Sequence, residues 1–315
     1  MSNRANRLHA PMIVYFDAIR RAGSIREAAR RLNVASSAVN RQLLKLEAEL
    51  GTPLFERLPN GLKLTHAGGA FAHHAINVLQ DAERIRSELD RMRGLSTGHV
   101  ELGVVEALSA DLLPAVLEHI RETHPKVTVS ISTMGSAAIA RALVNGDIDL
   151  GVAFSLEKSA DLQQLSFSRF FLGAVMCPEH ALAKTKTMSM SKCLSHTLIL
   201  PRADLSIRQT LMRAAGQLPV GLIEADSVQL IKELTLRGLG ISFQTRVGIE
   251  RELDQGTLVH IPLLRPMPLR SDLGVYVRAA RNPPIAVLTL AQLLSEEIGK
   301  RSAAEPVDDL VADLL

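Results

Sequence analysis

The sequence has no tryptophan, and its eight phenylalanines and two tyrosines make up only 3% of 315 residues. That scarcity argues against a single-strand nucleic-acid binder that stacks bases on aromatic platforms. Cysteine is rarer still, with only Cys177 and Cys193. Two cysteines cannot form the disulfide framework of a small secreted domain, so a reducing, cytoplasmic setting is expected. Cys177 follows an apolar run and precedes Pro178, which reads as a buried structural thiol rather than half of a redox pair. No stretch approaches the ~18 uninterrupted apolar residues of a membrane span, and no membrane partner is expected. Pro11–Ile19 is too short and too polar for a signal-peptide core.

Motifs for catalysis and metal binding are missing as well. There is no zinc-ligand spacing, no phosphate-cradling glycine loop and no Gly-x-Ser-x-Gly elbow. His119, Glu122 and His124 form H-x-x-E-x-H, but positions five apart do not share a helical face, and Pro125 ends the helix. His73 and His74, about 100° apart on a helix, are poor joint ligands. Gly238-x-Gly240 lacks the third glycine of a dinucleotide loop. The expectation is therefore no cofactor, no metal and no enzyme.

What is present is apolar bulk and an uneven charge. An apolar content of 47% is ample for real cores, and 315 residues at about 150 per domain suggest two domains. The formal charge of +3 conceals an asymmetry. Met1–His66 holds eleven basic against five acidic side chains, a local +6, whereas the other 249 residues hold 25 against 28, a local −3. A compact positive end on a near-neutral body suits a nucleic-acid-binding module carried by something else.

The positive end is patterned. Met12, Ile13, Tyr15, Phe16 and Ile19 recur at helical spacing before Gly23. Ser24-Ile25-Arg26-Glu27 reads as a capping box, with Glu27 reaching back to the cap. The helix it opens carries Ala28, Ala29 and Leu32, with Arg26 and Arg30 available for phosphate. After a short turn, a helix from near Ser36 buries Val39, Leu43, Leu46 and Leu50, and Gly51 ends it. Two short helices joined by a tight turn describe a helix-turn-helix. The second would present Ser36, Ser37, Asn40 and Arg41 to a major groove, where Asn suits adenine and Arg suits guanine. Lys45, one turn later, suits a phosphate. Pro59-Asn60-Gly61 then signals a hairpin turn between two short segments, a wing with Arg57 and Lys63 at its base.

These residues resemble the LysR-type transcriptional regulators. Phe16, Gly23-Ser24, Ala28-Ala29, Leu32-Asn33-Val34, Ser37-Ala38-Val39, Arg41-Gln42, Leu46-Glu47, Leu50-Gly51, Pro53–Arg57 and Leu64-Thr65-x-Ala67-Gly68 carry the likeness. The chain departs from that family's common Ser-Gln-Pro at Ala35-Ser36-Ser37, and it has Asn40 where Ser is usual. The resemblance implies a transcriptional regulator whose partners are double-stranded DNA and a small-molecule effector. It also implies a homodimer that pairs into a homotetramer, with RNA polymerase as a further candidate partner.

Thr65 can cap a helix running to about Arg93. Phe71, Ala75, Val78, Ala82, Ile85, Leu89 and Met92 form an unbroken a/d seam along it. Phe71, Val78, Ile85, Leu89 and Met92 are the candidate dimerisation residues, with packing on the chain's own C-terminal body as the alternative. Beyond a Gly/Ser/Thr hinge at residues 94–98, strand and helix signals alternate, implying an α/β fold with mainly parallel sheets.

Together, pattern and resemblance imply a chain of α+β and α/β class in four parts. A winged helix-turn-helix spans residues 8–66 and a linker helix spans 67–93. A two-lobed, periplasmic-binding-protein-like effector domain spans 94–301, and an acidic tail spans 302–315. Lobe I takes about 94–166 and 268–301, and lobe II about 167–267.

Ligands of such domains bind beyond strand carboxyl ends, where helix N-termini point into a crevice. The candidate effector contacts there are Glu106, Ala107, Gly135, Ser136, Arg202, Ser227 and Gln244. Ser136 and Ser227 have helix capping as their alternative role, and Arg202 an ion pair. Glu106 stands where the family more often has Pro or a hydroxyl. A carboxylate at the mouth favours an ammonium or polyol ligand over a dicarboxylate, and Arg202 would add an acid-binding group for a zwitterion. Two other classes stay open: an enzyme or solute-binding protein on the two-lobed fold, and an architectural DNA-binding protein without an effector.

Overall fold

The computed structural model describes residues 10–59, 61–92, 97–202, 206–215, 223–279 and 283–305. The chain divides into two compact units, with the main break between residues 96 and 97. Among the described residues, no helix is long and apolar enough to cross a membrane.

The first unit contains α1 (Pro11–Ala22), α2 (Ile25–Leu32), α3 (Ser36–Leu50), β1 (Phe55–Leu58), β2 (Gly61–Leu64) and α4 (His66–Met92). Local chemistry sets these boundaries. Pro11 opens α1, and Gly23 closes it in the left-handed region. Ser24 caps α2 by accepting the Glu27 N–H at 3.1 Å. The reciprocal half of the expected capping box does not form, because the Glu27 carboxylate instead takes hydrogen bonds from Arg30 and Arg31, each at 3.0 Å. Phe16, Ile19, Ala28, Ala29, Val39, Leu43, Leu46, Leu54 and Phe55 form the buried core.

The wing differs from the expected turn in one respect. Leu58 pairs with Gly61, so the loop is residues 59–60 and Gly61 begins the return strand. Asn60 itself lies outside the described residues. Gly61 has φ +133°, and a Cβ there would stand 2.6 Å from the Gly23 carbonyl oxygen. The next residue, Leu62, donates its N–H to that same oxygen at 2.8 Å. Thr65 then caps α4, accepting the Gly68 N–H at 2.9 Å. At Gly68 a Cβ would come within 2.0 Å of the Leu54 carbonyl oxygen, so the residue leading into β1 packs backbone to backbone against α4.

The second unit starts with β3 (Gly98–Val104), α5 (Leu112–Thr123), β4 (Val127–Thr133), α6 (Ser136–Val144), β5 (Leu150–Phe154) and β6 (Leu162–Phe171). A second lobe follows, with β7 (Gly173–Met176), β8 (Met188–Ser189), α7 (Met190–Cys193), β9 (Ile199–Pro201) and α8 (Ser206–Ala215). It continues through β10 (Ile223–Ala225), α9 (Val228–Leu236), β11 (Ser242–Gln244), α10 (Glu250–Asp254) and β12 (Val259–Arg265). The chain returns to the first lobe through β13 (Arg270–Arg278) and α11 (Ile285–Ala303).

The sheets are mixed rather than mainly parallel. In lobe I the order is β4-β3-β5-β13-β6, with β4, β3 and β5 parallel and β13 antiparallel to both of its neighbours. The reason is topological: β6 leads out to lobe II and β13 leads back, and their pairing closes the sheet. In lobe II, β7 runs antiparallel to both β11 and β12, whereas β9 with β10 and β12 with β8 are parallel. Buried Leu102, Val104, Leu150, Val152, Val275 and Leu290 lie in one core, and Leu172, Met176, Leu200, Ile241 and Leu263 in the other.

Arg301 ties the lobes together. Its guanidinium meets Asp111 at 2.8 Å and Glu297 at 3.0 Å in lobe I, and Glu250 at 2.7 Å in lobe II. The start of the acidic tail docks on β6, where the Phe171 N–H donates to the Glu305 carboxylate at 3.1 Å. Residues 306–315 lie outside the described residues.

Candidate functional site

The DNA-facing candidates lie on α2, α3 and the two wing strands of the first unit. Val39, Leu43 and Leu46 turn one face of α3 into the core, whereas Ser36, at the first turn, and Ser37, Arg41 and Lys45 are exposed and Asn40 is half-buried. Arg41 has no ion-pair partner among the described residues, so its guanidinium is available. Lys45 lies 3.8 Å from Glu49, an exposed pair that constrains it little. Arg26 is exposed at the start of α2. Arg30 is exposed but shared with Glu27, whose carboxylate the Arg30 and Arg31 hydrogen bonds hold below its ordinary pKa. Arg57 and Lys63 are exposed on the two wing strands.

Glu47 was not anticipated as more than a family match. Its carboxylate accepts the N–H groups of Leu54 at 2.7 Å and Phe55 at 3.3 Å, joining the recognition helix to the start of the wing. Leu44, half exposed on the same helix, also went unnoticed, because its spacing resembles that of the core leucines.

The seam on α4 splits in two. Phe71 is corrected: its ring packs edge-on against Phe16 at 4.8 Å, so it belongs with Ala75 to the core of the first unit. The assignment failed because an a/d spacing and a core-facing stripe coincide at that end of the helix. Val78 is half-buried. Ile85 and Leu89 are 43% and 47% exposed, an unusual state for two large aliphatic side chains one turn apart. The side chain of Met92 lies outside the described residues.

Between the lobes of the second unit lies a cavity of about 190 Å³. Glu106, Ala107, Gly135, Ser136 and Gln244 line it, as do Val105, Met134, Phe154, Ile207, Val228, Ile231 and Phe243. The strand ends after β3, β4, β9, β10 and β11 therefore converge, as a two-lobed α/β domain requires. The apolar lining was missed because those side chains continue the buried runs of their elements.

Two effector candidates are corrected. Arg202 is exposed and does not line the cavity, since its backbone follows β9 outward and its N–H pairs with Ala225. Ser227 does not line it either. It caps α9 by accepting the Leu230 N–H at 3.1 Å, and its hydroxyl donates to Glu106 Oε1 at 2.9 Å. Glu106 is therefore not a free carboxylate awaiting an ammonium group. Its Oε2 accepts the Val228 N–H at 2.6 Å, and its Oε1 takes a longer contact of 3.4 Å from Gln229. With Glu106 engaged and Arg202 outside, the expected zwitterion site is absent among the described residues.

Both cysteines are free thiols. Burial pushes the Cys193 thiol up to about 12, and its Sγ lies 3.3 Å from Met188 Sδ, so it is inert at neutral pH. Cys177 is half-buried rather than buried. No group of His, Cys, Asp and Glu among the described residues could hold a metal.

Residues 12–69 match the family model of bacterial regulatory helix-turn-helix proteins, lysR family, and residues 93–299 match the LysR substrate binding domain. The chain is 28% identical over 255 residues to the HTH-type transcriptional regulator YdcI of Escherichia coli strain K12, covering 79% of this chain and 82% of that one. Its fold is similar to that of a full-length OxyR variant from Pseudomonas aeruginosa, with a TM-score of 0.72, 19% identity and coverage of 91% and 93% of the two chains. It is also similar to full-length CbnR in complex with its target DNA, with a TM-score of 0.51, 23% identity and coverage of 93% and 99%.

Proposed function

Because the chain belongs to the LysR family of DNA-binding transcriptional regulators, we propose that Ser37, Asn40 and Arg41 read bases in the major groove of a duplex operator. Ser36, Lys45, Arg26, Arg30, Arg57 and Lys63 contact the backbone around them. The observation that carries this is the two-faced α3, with a buried aliphatic side and exposed positions presenting short hydroxyls and the available guanidinium of Arg41. Two chains joined along Ile85 and Leu89 place two such modules on one operator. An effector in the lobe cleft shifts the balance between arrangements of that assembly, as a ligand with unequal affinity for two states must. In this reading the chain acts by binding DNA and an effector, with no catalytic step assigned to it.

Footprinting of the full chain on genomic DNA tests the reading. Two protected half-sites about one helical turn apart are expected. Arg41→Ala should cost about 1–3 kcal/mol on those sites and relax the preference at one base pair. Protection without paired half-sites, or equal weakening on every sequence, would overturn the assignment.

A further inference from the structure

The cleft holds an internal anion. Glu106 follows β3 of lobe I, yet both of its carboxylate oxygens are bound by the N-terminus of α9 in lobe II, through Ser227 Oγ–H at 2.9 Å and the Val228 N–H at 2.6 Å. The first N–H groups and the macrodipole of a helix attract a carboxylate from any source. Here the source is the chain itself, tethered 121 residues away in sequence.

We infer that Glu106 fills the cleft's anion seat, and that the cleft takes an uncharged, ring-sized ligand with an apolar body and one hydrogen-bond acceptor. This rests on the reading of the cleft as the effector site. Three observations carry it. First, the donors at the α9 N-terminus that would bind an acid group are already engaged. Second, no Lys, Arg or His among the described residues lines the cavity, whereas a second carboxylate, Asp226, does. An incoming anion would meet two like charges and no cation, and the walls left to it are Val105, Met134, Phe154, Ile231 and Phe243. Third, Gln244 lines the same cavity at 4% exposure, and its Nε2 has no hydrogen-bond partner among the described residues. A buried amide N–H without a partner carries a desolvation cost that a ligand carbonyl or ether oxygen would remove. The volume of about 190 Å³ suits one ring, since an apolar cavity of ~150 Å³ accepts benzene.

The test is chemical rescue in the full-length chain. In Glu106→Ala, millimolar propionate should bind saturably and raise the unfolding temperature, with affinity about tenfold or more above that of the wild type. Glu106→Gln, which keeps the side-chain shape and gives up the charge, should respond in the same direction but less, so an alanine variant that fails to fold does not end the test. Wild type should bind cyclohexanecarboxamide in preference to cyclohexanecarboxylate, and Gln244→Leu should remove that preference. Equal propionate binding by wild type and variants overturns the inference. So does binding of the carboxylate to wild type; if operator occupancy then responds to the carboxylate, the effector reading survives. Failure of all three compounds to bind any of these proteins overturns the inference and the effector reading together.

Discussion

Glu47 Oε1 accepts the backbone N–H of Leu54 at 2.7 Å, so one carboxylate on the recognition helix determines where the wing begins. Glu47→Ala leaves two N–H groups in a partly buried turn without their acceptor. The expected loss is about 1–3 kcal/mol of stability. Operator affinity should fall through the wing contacts while base preference is kept. Thermal unfolding paired with gel shifts on matched and scrambled operators measures both. A change in base preference would show that Glu47 also sets the angle of α3.

Replacing Ile85 and Leu89 with Asp should leave the first unit folded, since both side chains lie outside its core. The same change places two charges in any coiled-coil seam they form, which a desolvated contact does not tolerate. Sedimentation at micromolar concentration should show monomer for the double variant and a larger species for wild type. Identical masses would assign dimerisation to another surface.

His260 connects stability to pH. Burial, reinforced by the nearby Arg246 charge, lowers its imidazole from 6.5 to about 4. Its Nε2–H is donated to the Gln244 carbonyl oxygen at 3.1 Å. Because the folded-state value is the lower one, the unfolded chain takes up the proton first. The contribution is therefore intact above pH 6.5 and is lost as pH falls from 6.5 towards 4, at up to about 1.4 kcal/mol per pH unit. Urea unfolding across that range should show a shallower slope for His260→Gln. Parallel profiles would mean that His260 titrates normally in the fold.

Lys232 Nζ meets Glu252 Oε1 at 2.6 Å, with side-chain exposures of 7% and 15%, joining α9 to α10. Glu252→Ala strands a buried ammonium and should cost about 3–5 kcal/mol, whereas the double variant Lys232→Met with Glu252→Leu should approach wild-type stability. Chemical denaturation of the single and double variants decides this. A mild single variant would mean that water reaches Lys232.

How much of this was legible in advance follows the range of each interaction. Ser24 and Thr65 announce helix starts because the groups they bind lie three residues away. The DNA-reading unit consists largely of such short-range signals, and the starts of α2 and α4 were visible. β6 was not visible over residues 162–169, because Gln163, Gln164, Ser166 and Ser168 interrupt its apolar pattern at the sheet edge. The cleft's positions could be named from strand ends, but the role of Glu106 could not. Its partners lie in another lobe, and only the folded chain shows that they bind both of its carboxylate oxygens.

The two backbone contacts made by Gly61 and Gly68 set a tolerance that has nothing to do with recognising bases. At each position the gap to a neighbouring carbonyl oxygen is thinner than one methyl group. A saturation screen scored on operator binding should therefore mark both glycines as intolerant, on a par with Arg41. The cause would be displacement of the wing and of the start of α4, and replacement size alone would rank the damage, with alanine the mildest. Polarity and charge, which decide the ranking at Arg41, should not matter at either glycine.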